Sequence, residues 1–354
     1  MGDMHVRAFG AADTAIDLGT TNAVVHVRGR GIVLSEPSLV AVDADSGRVR
    51  AIGSRARQLI EADGTRLLAA RPLKGGVIAD LPYAEELLRG LIRAAHHGRR
   101  AHPHVVAAVP SGATKLERRA LEEACLAAGA RAVHLLDGPL AAAIGAGLPV
   151  EDRSGVLVAD IGGGHSEAAV IALGGIVVSC SARIGSEQLD DAIARHLRRV
   201  HRLAISATAA EEAKRILAAA VPLSDELRVE VSGIDASSGV PRAVALSEAE
   251  VRAVLERALA RIVGTIREAL SQAPPEMSGE LLDRGITLVG GGARLRGLAQ
   301  RLRQEIGMPV QLAPLPITCV AAGAGAWLAR LRAGEDAAAK PPLAASARSL
   351  ARAA

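Results

Sequence analysis

Aromatic side chains are nearly missing from this chain of 354 residues: Phe9, Tyr83 and Trp327 are the whole complement. Without rings for bases to stack on, the chain has no single-strand nucleic-acid platform. Charge points the same way, because 42 basic and 38 acidic residues leave a net charge of only +4, dispersed rather than gathered into a patch. No nucleic-acid partner is expected. Cysteine is scarce too. Cys125, Cys180 and Cys319 lie far apart, without ligand-like spacing and among apolar neighbours, which predicts buried free thiols in a reducing cytoplasm rather than disulfides or metal ligands. No run of about 18 apolar residues exists to cross a membrane, and Met1–Asp13 has no apolar stretch long enough for a signal peptide. The expectation is a cytoplasmic protein.

What is abundant is aliphatic. Hydrophobic residues make up 49% of the chain, so Ala, Val, Leu and Ile must do the packing that rings do elsewhere. The length is too great for one small core and predicts two lobes. The excess of Ala, and of Arg over Lys, reads as a genomic composition bias.

The most informative feature is an internal repeat. Residues 15–35 read AIDLGTTNAVVHVRGRGIVLS and residues 159–179 read ADIGGGHSEAAVIALGGIVVS. Each copy opens with a β-rich run ending near an aspartate, Asp17 or Asp160. Each continues into a small-residue turn, Gly19-Thr20-Thr21-Asn22 or Gly162-Gly163-Gly164-His165. A second apolar run, a tight turn (Arg28–Gly31; Gly174-Gly175) and a third β-branched run follow, giving strand, turn, strand, turn, strand. Without bulky Cβ atoms such turns let backbone N–H groups approach polyphosphate oxygens. A carboxylate beside phosphate makes sense as a holder of Mg²⁺, directly or through the ion's waters. One such turn is an ordinary hairpin; two at matching positions predict a pair of turns clamping phosphates between two lobes.

A third glycine run, Gly290-Gly291-Gly292-Ala293, follows the apolar strand Gly285–Val289 and precedes a helical pattern from Leu295 to Ile306. At a strand-to-helix turn, glycines let a flat ring or a phosphate lie against the backbone. By itself this run fits a plain tight turn equally well.

These three segments, in this order, resemble the actin, sugar-kinase and heat-shock-chaperone ATPase superfamily. Outside them, GIVLSEPSLVAVD (31–43), RPLKGGVIAD (71–80), VPSGATKLERRAL (109–121), AAAIGAGLPV (141–150), Arg183-Ile184-Gly185, GVPRAVAL (239–246), ALSQAPPEM (269–277) and PITCVAAGAGAWL (316–328) resemble the rod-shape-determining bacterial actins of the MreB type. The resemblance runs from about Ala15 to Leu328. It implies an ATP-binding protein that self-associates into filaments, works with cell-wall synthesis and elongation proteins, and sits in the cytoplasm at the inner face of the cell membrane. By position it implies nucleotide contacts from Thr20, Thr21, Asn22, Gly162, Gly163, Gly164 and His165. It implies further contacts from Glu211 and Lys214 on the helix beside the adenosine, and from Gly291, Gly292, Ala293 and Arg294 under the nucleotide. Asp17 and Asp160 become the Mg²⁺-associated carboxylates. Glu211 and Lys214 stand i to i+3 and share one helix face, which an ordinary surface ion pair would also explain.

The sequence departs from the family at two hydrolytic positions. Where the family has Glu-Glu-Pro, this chain has Asp137-Gly138-Pro139, and the second glutamate polarises the attacking water. Gly138 has no side chain, and alternation along an extended segment turns Asp137 away. Where the family has Thr after its three glycines, this chain has His165, which if neutral can accept a proton or orient a water. Asp137 and His165 are the remaining catalytic candidates, and hydrolysis is expected to be slow or absent. A third departure concerns the membrane: the loop His96–His102 is basic rather than apolar, and MGDMHVRAF at the N-terminus offers little to insert. Contact with the membrane is therefore expected to be peripheral and by charge.

The expected fold is α/β, an actin-like two-lobe arrangement with a duplicated ribonuclease-H-like core and four subdomains. Residues 1–150 form the first lobe, with a small subdomain at about 36–72. Residues 151–315 form the second, with a small subdomain at about 186–246. Residues 316–332 return to the first lobe, and the Ala-rich segment 333–354 is expected to be a flexible tail. A chaperone ATPase would need a substrate domain after the lobes, and a sugar kinase would need a carbohydrate pocket with a catalytic Asp. The alternative that fits the departures is a nucleotide-binding, non-filamentous or accessory paralogue with little ATPase activity.

Overall fold

The computed structural model describes residues 13–62, 64, 66–98, 101–225 and 227–333. Among these the chain forms two compact units, one holding 13–109, 113–137 and 324–333, the other 110–112 and 138–323. The passage between them thus falls at 137/138, ahead of the expected 150, and the return begins at 324 rather than 316. The reason lies in residues 138–145, whose helix packs on strands of the second unit.

In the first unit β1 (Thr14–Leu18), β2 (Asn22–Val27) and β3 (Gly31–Pro37) form an antiparallel meander. Next come β4 (Val40–Asp43), β5 (Val49–Ile52), α1 (Gly53–Ala62) and β6 (Leu67–Ala70). They build a three-stranded sheet, β5-β4-β6, over a small core of Leu39, Ala41 and Ala56. The ribbon of β7 (Leu73–Lys74) and β8 (Val77–Ile78) leads to α2 (Leu81–Ala95). That helix starts where Asp80 accepts from the Tyr83 N–H at 3.1 Å and Pro82 needs no donor partner. After β9 (His104–Val109), Thr114 and Glu117 cap each other's backbone to start α3 (Lys115–Ala127), and β10 (Ala132–Asp137) closes the unit. The main sheet runs β3-β2-β1-β9-β10, with β1, β9 and β10 parallel.

The second unit repeats this plan. After α4 (Gly138–Gly145), β11 (Val156–Ile161), β12 (Ser166–Ala172) and β13 (Gly175–Ala182) form the second meander. Then come α5 (Ser186–Val200), β14 (Leu203–Ala204), α6 (Ala207–Leu217), β15 (Arg228–Asp235), β16 (Pro241–Ser247) and the long α7 (Glu248–Ser271). The unit continues with α8 (Ser278–Arg284), β17 (Ile286–Val289), α9 (Leu298–Ile306) and β18 (Val310–Leu312). The last helix, α10 (Cys319–Ala333), carries the chain back. The sheet order is β13-β12-β11-β17-β18, with β11, β17 and β18 parallel. The strand order of the first sheet is therefore reproduced, in keeping with the duplicated ribonuclease-H-like core that the family resemblance implies. The β14-β15-β16 sheet with α5 and α6 occupies the segment expected to form the second small subdomain.

Both cores are aliphatic, as the missing aromatics require. Ile16, Leu87, Leu88 and Leu91 are fully buried in one, and Leu157, Leu197, Leu255 and Leu259 in the other. Each such side chain contributes about 1.5–3 kcal/mol relative to exposure. Small residues do a second job, letting α4 and α10 cross backbone to backbone. A Cβ on Gly145 would stand 1.8 Å from the Cys319 carbonyl oxygen, and one on Gly323 1.8 Å from that of Ala141. All three cysteines are buried free thiols, as expected.

Several local expectations need correction. The helix expected from Leu295 starts at Leu298, because Gly292–Arg294 form a 3₁₀ turn and Gly297 adopts a left-handed φ of 73° first. One histidine of the loop His96–His102 does not stand at the surface. His96 turns inward and hydrogen-bonds Thr14 Oγ1 at 3.0 Å, and burial holds its pKa below the usual value. Arg99, Arg100, the N-terminal MGDMHVRAF and the expected tail beyond Ala333 lie outside the described residues. No helix among the described residues is long and apolar enough to cross a membrane.

Candidate functional site

In the first unit the turn after β1 is held from below. Gly19 is required there, since a Cβ would stand 2.6 Å from the Asn22 carbonyl oxygen. Buried Ser38 donates its hydroxyl to the Gly19 carbonyl at 2.6 Å, and its amide donates to the Thr21 carbonyl at 2.8 Å. Thr20 is buried, and its Oγ1 accepts from the Gly76 N–H at 2.9 Å. That side chain therefore braces the turn against the β7–β8 ribbon, leaving Thr21 and exposed Asn22 as the outer members. Asp17 sits one residue before the end of β1, half-buried.

Asp137 and Gly138 part company. Strand geometry ends at Asp137, whose carboxylate pairs with the Arg118 guanidinium, and Gly138 already belongs to α4. Strand alternation therefore does not govern the pair. What sets Asp137 aside is its partner, which occupies one carboxylate oxygen and neutralises the charge.

In the second unit Asp160 and two of the three glycine-containing turns converge. Parallel pairing of β11 with β17 sets Asp160 opposite Val289, so the Gly290–Arg294 turn emerges beside the Asp160 carboxyl. Contact is close enough to demand glycine: at Gly290, φ 84°, a Cβ would lie 2.3 Å from Asp160 Oδ1 and 2.4 Å from the Ile161 carbonyl oxygen. Gly291 next to it has an ordinary helical φ of −66°, and a Cβ there would meet nothing within 4 Å. The Gly162–His165 turn closes with a 2.9 Å bond from the Gly162 N–H to the His165 carbonyl. Its outward carbonyls are taken by the start of α5: Ser186 donates to Gly162 at 3.0 Å and Glu187 to Gly163 at 2.8 Å. This approach explains Gly185, where a Cβ would be 2.5 Å from the Gly163 oxygen.

Burial dominates the electrostatics. It pushes the Asp160 carboxyl up to about 6 and, with help from the Arg183 charge, pulls His165 down to about 4. His165 is therefore neutral at neutral pH, and its buried Nδ1 has no hydrogen-bond partner. Its Nε2 lies 3.6 Å from Glu167, a buried carboxylate that accepts from the Ser111 N–H and hydroxyl at 3.3 Å each. Glu167 pairs across β11–β12 with Asp160. Glu167 was not among the residues expected at the site, although it is the one charge in the otherwise uncharged, buried run of β12.

Glu211 and Lys214 both lie on α6, half-buried, and they do not form the surface ion pair that their spacing also allows. Lys214 donates instead to Asp190 at 2.7 Å and to the Ser186 carbonyl at 3.1 Å, both on α5. Burial pushes the Asp190 carboxyl up to about 6 despite that cation, and its Oδ1 is buried without a partner. Lys214 thus ties α6 to the residue that holds Gly162. Arg296, also missed, connects α6 to the third turn. Its guanidinium donates to the Ile216 carbonyl and, at 3.2 Å, to that of Ala218, and its own carbonyl accepts from Ala220 at 2.7 Å. A guanidinium on the last carbonyls of a helix also opposes the negative end of its dipole. Ala293 is buried and Arg294 exposed on the turn so anchored.

Two sheets of one topology, each with an aspartate and a small-residue turn at the end of its first strand, define the actin-like fold class. The chain belongs to the MreB/Mbl family, whose family model, described as MreB/Mbl protein, matches residues 11–336. Over 325 residues it is 43% identical to the cell shape-determining protein MreB of Escherichia coli (strain K12), covering 90% of this chain and 94% of that one. The crystal structure of MreB5 of Spiroplasma citri bound to ADP matches with a TM-score of 0.85 at 32% identity, over 92% of this chain and 99% of the other. A MamK double helical filament matches with a TM-score of 0.77 at 20% identity, over 90% and 99%, a likeness of fold.

Proposed function

We propose that this protein binds ATP and ADP with Mg²⁺, assembles head to tail into filaments, and helps organise cell-wall synthesis and cell shape from the inner face of the cell membrane. The observation that carries the reading is the convergence of Asp160, the Gly162–His165 turn and the Gly290–Arg294 turn at the strand ends of the second sheet. The first sheet repeats the aspartate and turn at Asp17 and Gly19–Asn22. The residues fit the ligand. Gly291 leaves open space where a flat base can lie. Asp160 is a carboxyl whose ionisation burial opposes, and a cation would offset that cost. Asp17 and Asp160 would hold Mg²⁺, through its waters. When bound, the ion neutralises charge on the phosphate oxygens. Thr21 and Asn22, with the amides of Gly163 and Gly164, are suited to phosphate, Glu211 and Lys214 to the nucleoside side, and Gly291–Arg294 to the base.

Hydrolysis on this reading is slow. Gly138 offers no group to orient water, and Asp137 is engaged by Arg118. His165 remains as a neutral acceptor, but burial leaves it a weak base. Slow hydrolysis makes filaments that turn over slowly, and a contact between two different faces of a subunit does not close on itself, so it propagates. Electron microscopy of the purified protein with ATP, with ADP and without nucleotide tests this. Filaments with nucleotide support the proposal. Their absence in all three states, across salt and pH, would favour the accessory, non-filamentous paralogue.

A further inference from the structure

A second cluster of metal-ligating side chains lies on α5 and α7 and takes no part in the nucleotide reading. His196, in the last turn of α5, and His201, the residue that caps it, both direct Nε2 at one oxygen, Oε1 of Glu250 in the first turn of α7. Both distances are 2.6 Å, and the two rings meet edge to face with centroids 5.7 Å apart. One ligand atom from each residue lies within 4.8 Å of the other two, the only such group among the described residues. We infer that His196, His201 and Glu250 form a binding site for a divalent transition-metal ion of the Zn²⁺ class, clamping the end of α5 to the start of α7.

The chemistry favours that ion class. Two imidazoles and one carboxylate are a ligand set that Zn²⁺ takes in tetrahedral sites, with the fourth position left to water. Mg²⁺ prefers an octahedral shell of oxygens and is poorly served by two imidazoles. Ligands about 2 Å from an ion stand roughly 3.3 Å apart in a tetrahedron, so small side-chain rotations open the present contacts to that spacing. In the metal-free chain each Nε2 donates its proton to the carboxylate; ligation needs that lone pair, so each proton moves to Nδ1 or leaves.

His201 and Glu250 are anchored through their backbones, and His196 is carried by α5. His201 donates its N–H to the Leu197 carbonyl at 3.0 Å, and its own carbonyl accepts from Arg242 on β16. Arg242 in turn holds Asp235 at 2.8 Å, so the cap is fixed to the β15–β16 hairpin. Glu250 donates its N–H to the Ser247 cap at 3.3 Å. His196 sits between buried Ile193 and Leu197 on α5. Backbone positions held in this way keep the three side chains within reach of one ion.

The test uses the full-length protein freed of metal by a chelator, then saturated with Mg²⁺ and ADP so that the nucleotide site is occupied. Calorimetric titration with Zn²⁺ should show one equivalent bound, and binding should raise the melting temperature. His196→Gln and His201→Gln should each weaken it by at least about 100-fold, since each removes one of three protein ligands. His134→Gln, at an exposed position on β10, should leave it unchanged. Zn²⁺ binding that is absent in the native protein, or as tight in either ligand variant as in the native protein, overturns the assignment. Should a variant fail to fold, Co²⁺ added to the native protein decides alone. A visible absorption band of a tetrahedral imidazole-ligated ion supports the site, and a spectrum of hydrated Co²⁺ refutes it.

Discussion

Gly290 and Gly291 are neighbours in one turn, yet opposite outcomes are expected when each is replaced by leucine. Gly290 has φ 84°, and its Cβ would strike Asp160 Oδ1 and the Ile161 carbonyl. A non-glycine residue in that conformation costs about 1–3 kcal/mol, and overpacking adds about as much again. Gly290→Leu should therefore unfold or severely destabilise the second unit. Gly291 has φ −66° and open space around its Cβ. Gly291→Leu should fold as well as the native chain or better, by about 0.4–1 kcal/mol, because the unfolded state loses freedom. What it should lose is nucleotide, since the side chain fills the space assigned to the base. ADP at about 100 times its dissociation constant stabilises the native protein by about 2.7 kcal/mol, a rise in melting temperature of roughly 4 °C for a chain of this length. Thermal unfolding with and without ADP reads both effects. In Gly291→Leu the nucleotide-free transition should stay in place and the ADP-induced rise should vanish. A variant that folds and still shows the full rise would refute the placement of the nucleotide on this turn.

Phosphate release should be near background in the native protein and should rise on Gly138→Glu, further with His165→Thr added; restoring a water-orienting group is worth about 10²- to 10⁴-fold. Brisk native hydrolysis would instead implicate Asp137 or His165, and substituting each separately would identify which. Asp160 supplies a pH test. Its carboxyl, pushed up from 3.8 to about 6 by burial, holds a proton in the folded chain that the unfolded chain has lost, so its contribution to stability falls as pH rises through that window. Asp160→Asn should stabilise the nucleotide-free protein at pH 7 by up to about 3 kcal/mol and give no gain near pH 4. Equal urea midpoints for native and variant at pH 7 would contradict this. At the α4–α10 crossing, Gly323→Ala should cost several kcal/mol, since its Cβ would stand 1.8 Å from a carbonyl oxygen. A soluble variant with native melting would show that the helices separate freely.

The repeat, and with it the fold, is written in local sequence signals. Period-2 apolar runs, the turn glycines and the two aspartates are local signals, and a strand meander is a local structure. The aliphatic cores followed from composition alone. The place of Asp160 beside a glycine turn was half legible: each motif could be read, but only parallel pairing of β11 with β17 puts residue 160 against residue 290. Partner choice among long polar side chains was not legible at all. Lys214 had Glu211 one turn away on its own helix, yet it bonds Asp190 across the α5–α6 contact. Thr20 turned its hydroxyl to Gly76, Arg118 took Asp137, Arg296 capped α6, and His196, His201 and Glu250 met at one oxygen. Each of these contacts joins residues between 19 and 80 positions apart. A long side chain reaches several partners with similar energy, so its choice is set by how the elements pack, and that is decided by the whole core rather than by any stretch of sequence.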